Sequence, residues 1–485
     1  MVAWAKIHWR NIPCSPLLLA SAFVLISGLP VVAQEAKGPV TYTKDIAPIL
    51  QRSCQSCHRP DSVAPMSLLS YAEARPYARA MKLRTSLRNN TGSRGIMPPW
   101  FIEKNIGIQN FKEDISLSDA EISKIAEWAD NGAPEGNPAD LPKALEFAQS
   151  GVWHLGKPDM IVASPKIQVK GVAADWWGDF GETPSVTPET RYAKSVEYRE
   201  VSDLKKGSLG PEAGRGKTSM FVFHHASVSL ASDDPDVERD GEAGGGGLSL
   251  HEVGRNGDVF NLDAGKVVPK NAMFSWNGHI HAPGIPGADR SAWLELGIHL
   301  HPRGYKPKFA ETGINFGKTE IDFDPQATST RYDAYWVATK PIKMLNYEPH
   351  MHATGVRKCI EAIYGGIAQT LNCAGYDHNW VKNYQYNDNS APLLPAGTIL
   401  HAIGWFDNSS KNPNNVEPRN PATYGANSVS NMFILFNKAI VLTEEQYQEE
   451  LTKRREHLRT SGADNIGCPD CYKSGSSATP APSAR

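Results

Sequence analysis

The residues Cys54-Gln55-Ser56-Cys57-His58 carry the densest chemistry in this chain. Cys-x-x-Cys-His is the attachment motif of a c-type haem: two thiols bond to the haem vinyl groups and the adjacent imidazole ligates the iron. A bare Cys-x-x-Cys also suits a redox dithiol or half a zinc site, and the following His is what selects haem. A haem of this kind commonly takes a downstream methionine as its sixth ligand. Met66, Met81 and Met97 are the candidates. Met97 is preferred, because Pro98 and Pro99 stiffen the backbone beside it, whereas Met66 and Met81 lie in apolar, helix-like surroundings. A thioether ligand raises the haem potential, which suits a carrier that accepts electrons easily.

Histidine supplies a second chemistry. Of 15 histidines, eight fall in four pairs: His224-His225, His279/His281, His299/His301 and His350/His352. Residues i and i+2 of a strand project from one face, so His-x-His offers two imidazoles to one metal. Adjacent histidines point to opposite faces and need a twisted backbone to converge. Any single pair equally suits a hydrogen-bonded sheet surface; four pairs in one chain argue for metal. Imidazole suits zinc, copper, iron and nickel, and a methionine sulfur added to imidazoles points to copper.

The order of these motifs resembles the copper type II monooxygenases, the family of the peptidylglycine alpha-hydroxylating and dopamine beta-monooxygenases. It is most similar to bacterial members fused to an N-terminal c-type cytochrome domain. The resemblance spans Pro39 to Pro142 for the haem part and Gly151 to Leu442 for the copper part. It implies that His224 and His225, in Phe-His-His-Ala, and His279, in Ser-Trp-Asn-Gly-His, bind an electron-transfer copper. It implies that His350 and His352, in Glu-Pro-His-Met-His-Ala-Thr-Gly, and Met432, in Asn-Ser-Val-Ser-Asn-Met, bind an oxygen-binding copper. Tyr376-Asp377-His378-Asn379-Trp380 and Phe406-Asp407-Asn408-Ser409 also look like bacterial members. Two features depart from the pattern: His281 duplicates the ligand type beside His279, and His299/His301 has no place in the ligand set, leaving it a surface pair or a third site.

The implied activity is hydroxylation of a C–H bond in a small organic substrate with dioxygen, with two coppers and one covalent haem c per chain. An external reductant or redox protein would supply electrons through the tethered cytochrome. The rival expectation is a copper and haem electron-transfer or copper-binding protein without hydroxylase activity; zinc in some of the sites is a third.

These residues need elements to position them. The implied fold is multidomain: a small all-α cytochrome c domain at 39–142, then two all-β, jelly-roll-like sandwich domains at 150–325 and 326–442, and a helix with a flexible tail at 443–485. Within the first, Tyr42, Ile46, Ile49 and Leu50 recur at helical spacing. Ser118 to Glu121 is a capping-box pattern, with Ile122, Ile125 and Trp128 on one face and Gly132 as a stop. Beyond residue 150, Met220 to Leu230, Trp293 to His301, Thr398 to Phe406 and Met432 to Leu442 read as strands. Ile360 to Tyr364 and Ile367 to Leu371 form a hairpin about Gly365-Gly366. Cys359 and Cys373 flank that hairpin, either as a disulfide worth roughly 3 kcal/mol or as two buried thiols. Cys468-Pro469-Asp470-Cys471 is followed by Tyr472, so it reads as a local disulfide in a Ser/Ala/Pro tail rather than a second haem motif.

Composition and the N-terminus bound the setting. Lys6 and Arg10, the apolar run Leu17 to Leu29 and the small residues before Gln34 read as a signal peptide over 1–33, its core too short to span a bilayer. A retained N-terminal anchor is the alternative. Export to the periplasm or beyond, without stable membrane insertion, is expected. Fifty basic against 52 acidic side chains, without strong runs, give no reason to expect a nucleic-acid partner. Glycine (41) and proline (35) are plentiful, which favours a β-rich architecture.

Overall fold

The computed structural model describes residues 38–60, 64, 66–87, 95–145, 153, 155–174, 176–185, 187–202, 222–231, 246–252, 257–260, 263–282, 286–378, 380, 382–425 and 430–471, the side chains of His224, Glu252 and Ala310 excepted. The expected signal peptide, the Gly-rich segment 233–245 and the tail beyond 471 lie outside these residues. Among them, no helix is long and apolar enough to cross a membrane.

Strands dominate, and their alternating burial builds two sandwiches. The first uses β1 (Met160–Ala163), β2 (Ile167–Val169), β3 (Trp176–Pro184), β4 (Arg191–Ser202), β5 (Phe223–Ala231), β6 (Gly246–Glu252), β7 (Gly257–Val259), β8 (Lys266–Val268), β9 (Met273–Ile280) and β10 (Arg290–Leu300). One sheet has the order β1-β10-β4-β7, with β2 on β10 and β8 on β4; the facing sheet is β3-β9-β5-β6. Val196, Tyr198, Leu294, Leu296 and Ile298 of the one meet Ala226, Val228, Phe274 and Trp276 of the other. These core residues recur at every second position, so the residues between them face outward.

The second sandwich uses β11 (Ala310–Lys318), β12 (Asp322–Phe323), β13 (Thr330–Val337), β14 (Ile342–Met344), β15 (Asn346–Tyr347), β16 (Pro349–Met351), β17 (Gly355–Tyr364), β18 (Ile367–Gly375), β19 (Tyr384–Gln385), β20 (Leu393–Leu394), β21 (Ile399–Phe406), β22 (Ala422–Thr423) and β23 (Phe433–Val441). Its sheets are β11-β23-β14-β20, with β16 on β23, and β13-β21-β17-β18. Phe316, Met344, Met351, Phe433, Leu435 and Ala439 pack against Ile360, Ala362, Leu400, Ala402 and Phe406. The chain passes between sandwiches after Leu300, because β11 pairs with β23 along nine residue pairs from Ala310↔Val441 to Lys318↔Phe433. The β17–β18 hairpin turns at Gly365 and Gly366, whose φ angles of 53° and 79° are those a two-residue turn requires. Cys359 and Cys373 are Cα partners in that hairpin and form a disulfide.

The expectation of a separate all-α domain is corrected by the structure. The helices of this region are short: α1 (Ala47–Ser53), α2 (Tyr71–Ala74), α3 (Ala78–Ser86) and α4 (Asp119–Asp130), with a single π turn at Tyr42–Ile46. They share a small core that includes Tyr42, Leu50, Met81, Ile125 and Trp128. The chain at 101–111, between α3 and α4, however, belongs to the second sandwich. Ile102 and Phe111 form β-bridges with Ala374 and Tyr386, and Ile102, Ile108 and Phe111 are part of that sandwich's core. Backbone hydrogen bonds join Glu103 to Cys373 (2.9 Å), Ile108 to Leu371 (2.8 Å) and Gly375 to Phe101 (2.9 Å). The helical periodicity is sound around residues 42–50 and 118–132, where Ser118 and Glu121 form a capping box. Ile102, Ile108 and Phe111 pack on a sheet instead.

At the C-terminus α5 (Glu444–Ser461) starts with a Thr443/Gln446 capping box and ends at Gly462 with φ 64°. Tyr447 and Leu451 bury against Leu393, Ile440 and the Cys468–Cys471 disulfide. That short disulfide is packed in a core rather than loose in a tail.

Candidate metal centres

His350 and His352 stand on the outer face of the sheet containing β23. The register pairs Pro349 with Leu435, His350 with Ile434 and Met351 with Phe433. Met351, Phe433 and Leu435 point into the core, so His350 and Ile434 point out, as does Phe436, whose ring lies 5.1 Å from the His350 ring. His352 follows Met351 and Met432 precedes Phe433, the two partners of the last rung of this ladder. Strand alternation thus serves the core with one set of residues and the site with the next.

The two imidazoles meet through Nε2 atoms 3.2 Å apart, with ring centroids 5.1 Å apart. Both residues are buried. A first-row metal about 2.0–2.1 Å from each nitrogen in a tetrahedral set places them roughly 3.3 Å apart, so this spacing fits a shared ion. Burial, and then the neighbouring His352, Lys358 and His378, hold the His350 imidazole well below its usual range, in the neutral form a metal takes.

Three successive carbonyls of this segment are held. Lys358 Nζ donates to His350 O at 3.1 Å, Tyr376 Oη donates to Met351 O, and Gly355 N donates to His352 O at 2.8 Å. Just before Met432, the buried Asn431 accepts from Thr354 through its side chain and holds Thr423 O and Gly425 N through its backbone. His378 brings a further ring, 5.9 Å from that of His352. Strand periodicity could not have found Lys358 or His378, because both come from other segments; only the position of His378 within Tyr376–Trp380 gave a signal.

The second set lies in the first sandwich. His225 and His279 are direct partners across β5 and β9, and Trp177 of β3 faces His279. The His225 and His279 rings are 5.4 Å apart, and the Trp177 ring is 4.3 Å from His225 and 6.0 Å from His279. Both histidines are buried. The ladder has a bulge: Phe223 opposes Ile280 and His225 opposes His279, so His224 is the extra residue. This is the backbone irregularity that adjacent histidines need. The His224 side chain lies outside the described residues. His281 is exposed and follows β9, so it is His279 that adjoins His225. His299 and His301 are both buried, and His301 stacks on Tyr305 at 3.8 Å. Among the described residues, no three His, Cys, Asp or Glu side chains already converge as a metal-binding group. Each described set is two imidazoles; Met432 precedes Phe433, the partner of Met351, and His224 precedes His225.

At the Cys-x-x-Cys-His motif, α1 ends at Ser53 and the chain makes one tight turn, Cys57 N and His58 N donating to Cys54 O at 3.1 and 2.8 Å. Cys54 and Cys57 are free thiols, while the other four described cysteines form two disulfides. Burial pushes the Cys54 thiol up to about 12. His58 is buried, and its Nδ1 lies 3.3 Å from Met66 O, an arrangement that fixes the ring and leaves Nε2 for a ligand. Two unpaired thiols and an oriented imidazole fit a covalent haem. Met81 is buried in the helical core and Met66 packs against it. Met97 lines a cavity of about 40 Å³ with Thr85, Trp100, Leu117 and Ile122. Met97 is thus a sixth-ligand candidate by residue type alone.

No family model matches the sequence, and no curated protein matches it. Solved structures with some likeness include infectious bursal disease virus Gx strain (9% identity, 64% of this chain and 90% of that one, TM-score 0.15). The PBSX exported protein XepA (6% identity, 54% and 99%, TM-score 0.12) and the Macrobrachium rosenbergii nodavirus (10% identity, 64% and 99%, TM-score 0.12) are others. Scores this low carry no argument about fold or function.

Proposed function

We propose that this chain is an exported copper- and haem-dependent monooxygenase that hydroxylates a C–H bond of a small organic substrate with dioxygen. The observation that carries the reading is the buried His350/His352 pair, Nε2 to Nε2 at 3.2 Å, His350 standing on a ladder whose last rung, Met351↔Phe433, adjoins Met432 in the chain. In this reading His350, His352 and Met432 hold one copper, and His224, His225 and His279 hold the other. Cys54, Cys57 and His58 hold a covalent haem c, with Met97 as its candidate sixth ligand. Bound there, copper would supply one-electron redox chemistry and dioxygen activation, and haem would relay electrons from an external donor.

The residues themselves do the positioning. Two neutral imidazoles and a thioether make a soft set that favours reduced copper over the oxidised ion. Lys358, Tyr376 and Gly355 fix the backbone that presents the two imidazoles. Trp177 packs against His225 and His279 and screens them from water. The two disulfides agree with an oxidising, periplasmic or secreted setting.

The test is oxygen consumption by the purified holoprotein with reductant, against a panel of organic substrates, alongside a haem stain on a denaturing gel. Uptake that rises with one substrate and yields its hydroxylated product supports the monooxygenase. Haem and copper reduced and reoxidised without product would make this an electron-transfer protein. A haem stain that survives Cys54→Ser with Cys57→Ser would remove the haem assignment.

A further inference from the structure

Lys358 carries a buried amine of the second sandwich that holds the backbone beneath the ligands. It lies on β17 and is fully buried. It shares the inward face of that strand with Ile360 and Ala362, so its side chain crosses the core toward the other sheet. There Nζ donates to His350 O at 3.1 Å and Ile434 O at 2.5 Å, and lies 4.3 Å from the Phe433 ring centroid.

His350 and Ile434 are direct partners in the β16–β23 ladder. One amine therefore grips both strands at the rung that carries a candidate ligand, two residues from Met432. β16 is only three residues long and pairs with β23 at three positions, so it has little ladder of its own to define its register. A slip of one residue would turn both histidines to the opposite face. A hydrocarbon side chain of the same length would fill this part of the core without desolvating an amine. What the amine adds is a fixed relation between two strands.

We propose that Lys358 is a positioning residue for the metal centre of His350, His352 and Met432, holding the β16–β23 register on which the distance between imidazoles and thioether depends. The inference rests on the copper reading of that site.

The test is Lys358→Met in the full chain, titrated with copper alone. Expected are a folded protein and copper affinity at the His350/His352/Met432 site lowered ten- to a hundredfold. X-ray absorption of the reduced protein should lose its copper–sulfur scattering, while copper at His225 and His279 is retained. Lower stability with wild-type affinity and wild-type copper–sulfur scattering would make Lys358 a purely structural group and overturn the proposal. Should Lys358→Met fail to fold, Lys358→Gln keeps an N–H donor on a smaller side chain. Weakened copper and altered copper–sulfur scattering in that variant support the proposal, and wild-type values overturn it. Wild-type protein that shows no copper–sulfur scattering, and binds copper no better than Met432→Ile, overturns the copper reading and the role of Lys358 with it.

Discussion

Glu200 links the stability of the first sandwich to pH. Its carboxylate accepts the backbone N–H groups of Val222 at 2.7 Å and Phe223 at 3.3 Å, the two residues that lead into His224 and His225. Burial raises the Glu200 carboxyl from 4.5 to about 8, and the two N–H donors and Arg290 offset only part of that rise. Native Glu200 thus keeps a proton over an interval in which the unfolded chain has released it. The native state loses stability as pH climbs from about 4.5 to about 8, by about 1.4 kcal/mol per pH unit, and loses no more above that range. Some residual exposure of the residue tempers the total, which is on the order of 3–5 kcal/mol. Glu200→Gln keeps a carbonyl acceptor for one N–H and removes the ionisation. Urea unfolding followed by tryptophan fluorescence at each pH from 5 to 9 should show the variant gaining on wild type by about 1.4 kcal/mol per unit, then a plateau above pH 8. A difference between the two proteins that stays constant across the range would refute the reasoning.

Three further outcomes are expected. Cys359→Ala with Cys373→Ala opens a link across a sequence separation of 14, and guanidinium unfolding should show a loss of about 3 kcal/mol. Gly107 has φ +64°, and a Cβ there would stand 1.9 Å from Leu371 O; Gly107→Ala should lower stability by about 2 kcal/mol or more and speed amide exchange at Glu103 and Ile108. Met432→Ile keeps apolar bulk and removes the sulfur, so the oxidised protein should bind copper almost normally while hydroxylation falls by orders of magnitude. Intact activity in that variant would remove Met432 from the site.

Local chemistry was the legible part of this sequence. The two-glycine turn fixed the β17–β18 hairpin, and Ser118 with Glu121 marked the start of α4, because each depends on residues within a few positions of one another. The His-x-His spacing put His350 and His352 on one face, as strand geometry demands. Long-range packing was not legible. Ile102, Ile108 and Phe111 have no period that assigns them to a sheet edge, and their partners Leu371, Ala374 and Tyr386 lie more than 250 residues on. The expected all-α domain failed for that reason: Ile102, Ile108 and Phe111, in the middle of it, complete another core. Lys358 reaches the His350/His352 site from a segment whose sequence gives no signal of it, and the bulge at His224 is a property of the ladder rather than of any residue in it.

Copper counted per chain, by metal analysis and by EPR of the oxidised holoprotein, bears most directly on the central claim. Two coppers are expected in wild type, and one in His350→Ala and in His279→Ala, with the remaining signal different between the two variants because the ligands come from separate sandwiches. Wild type without copper, or loss of all copper from either single change, would contradict it.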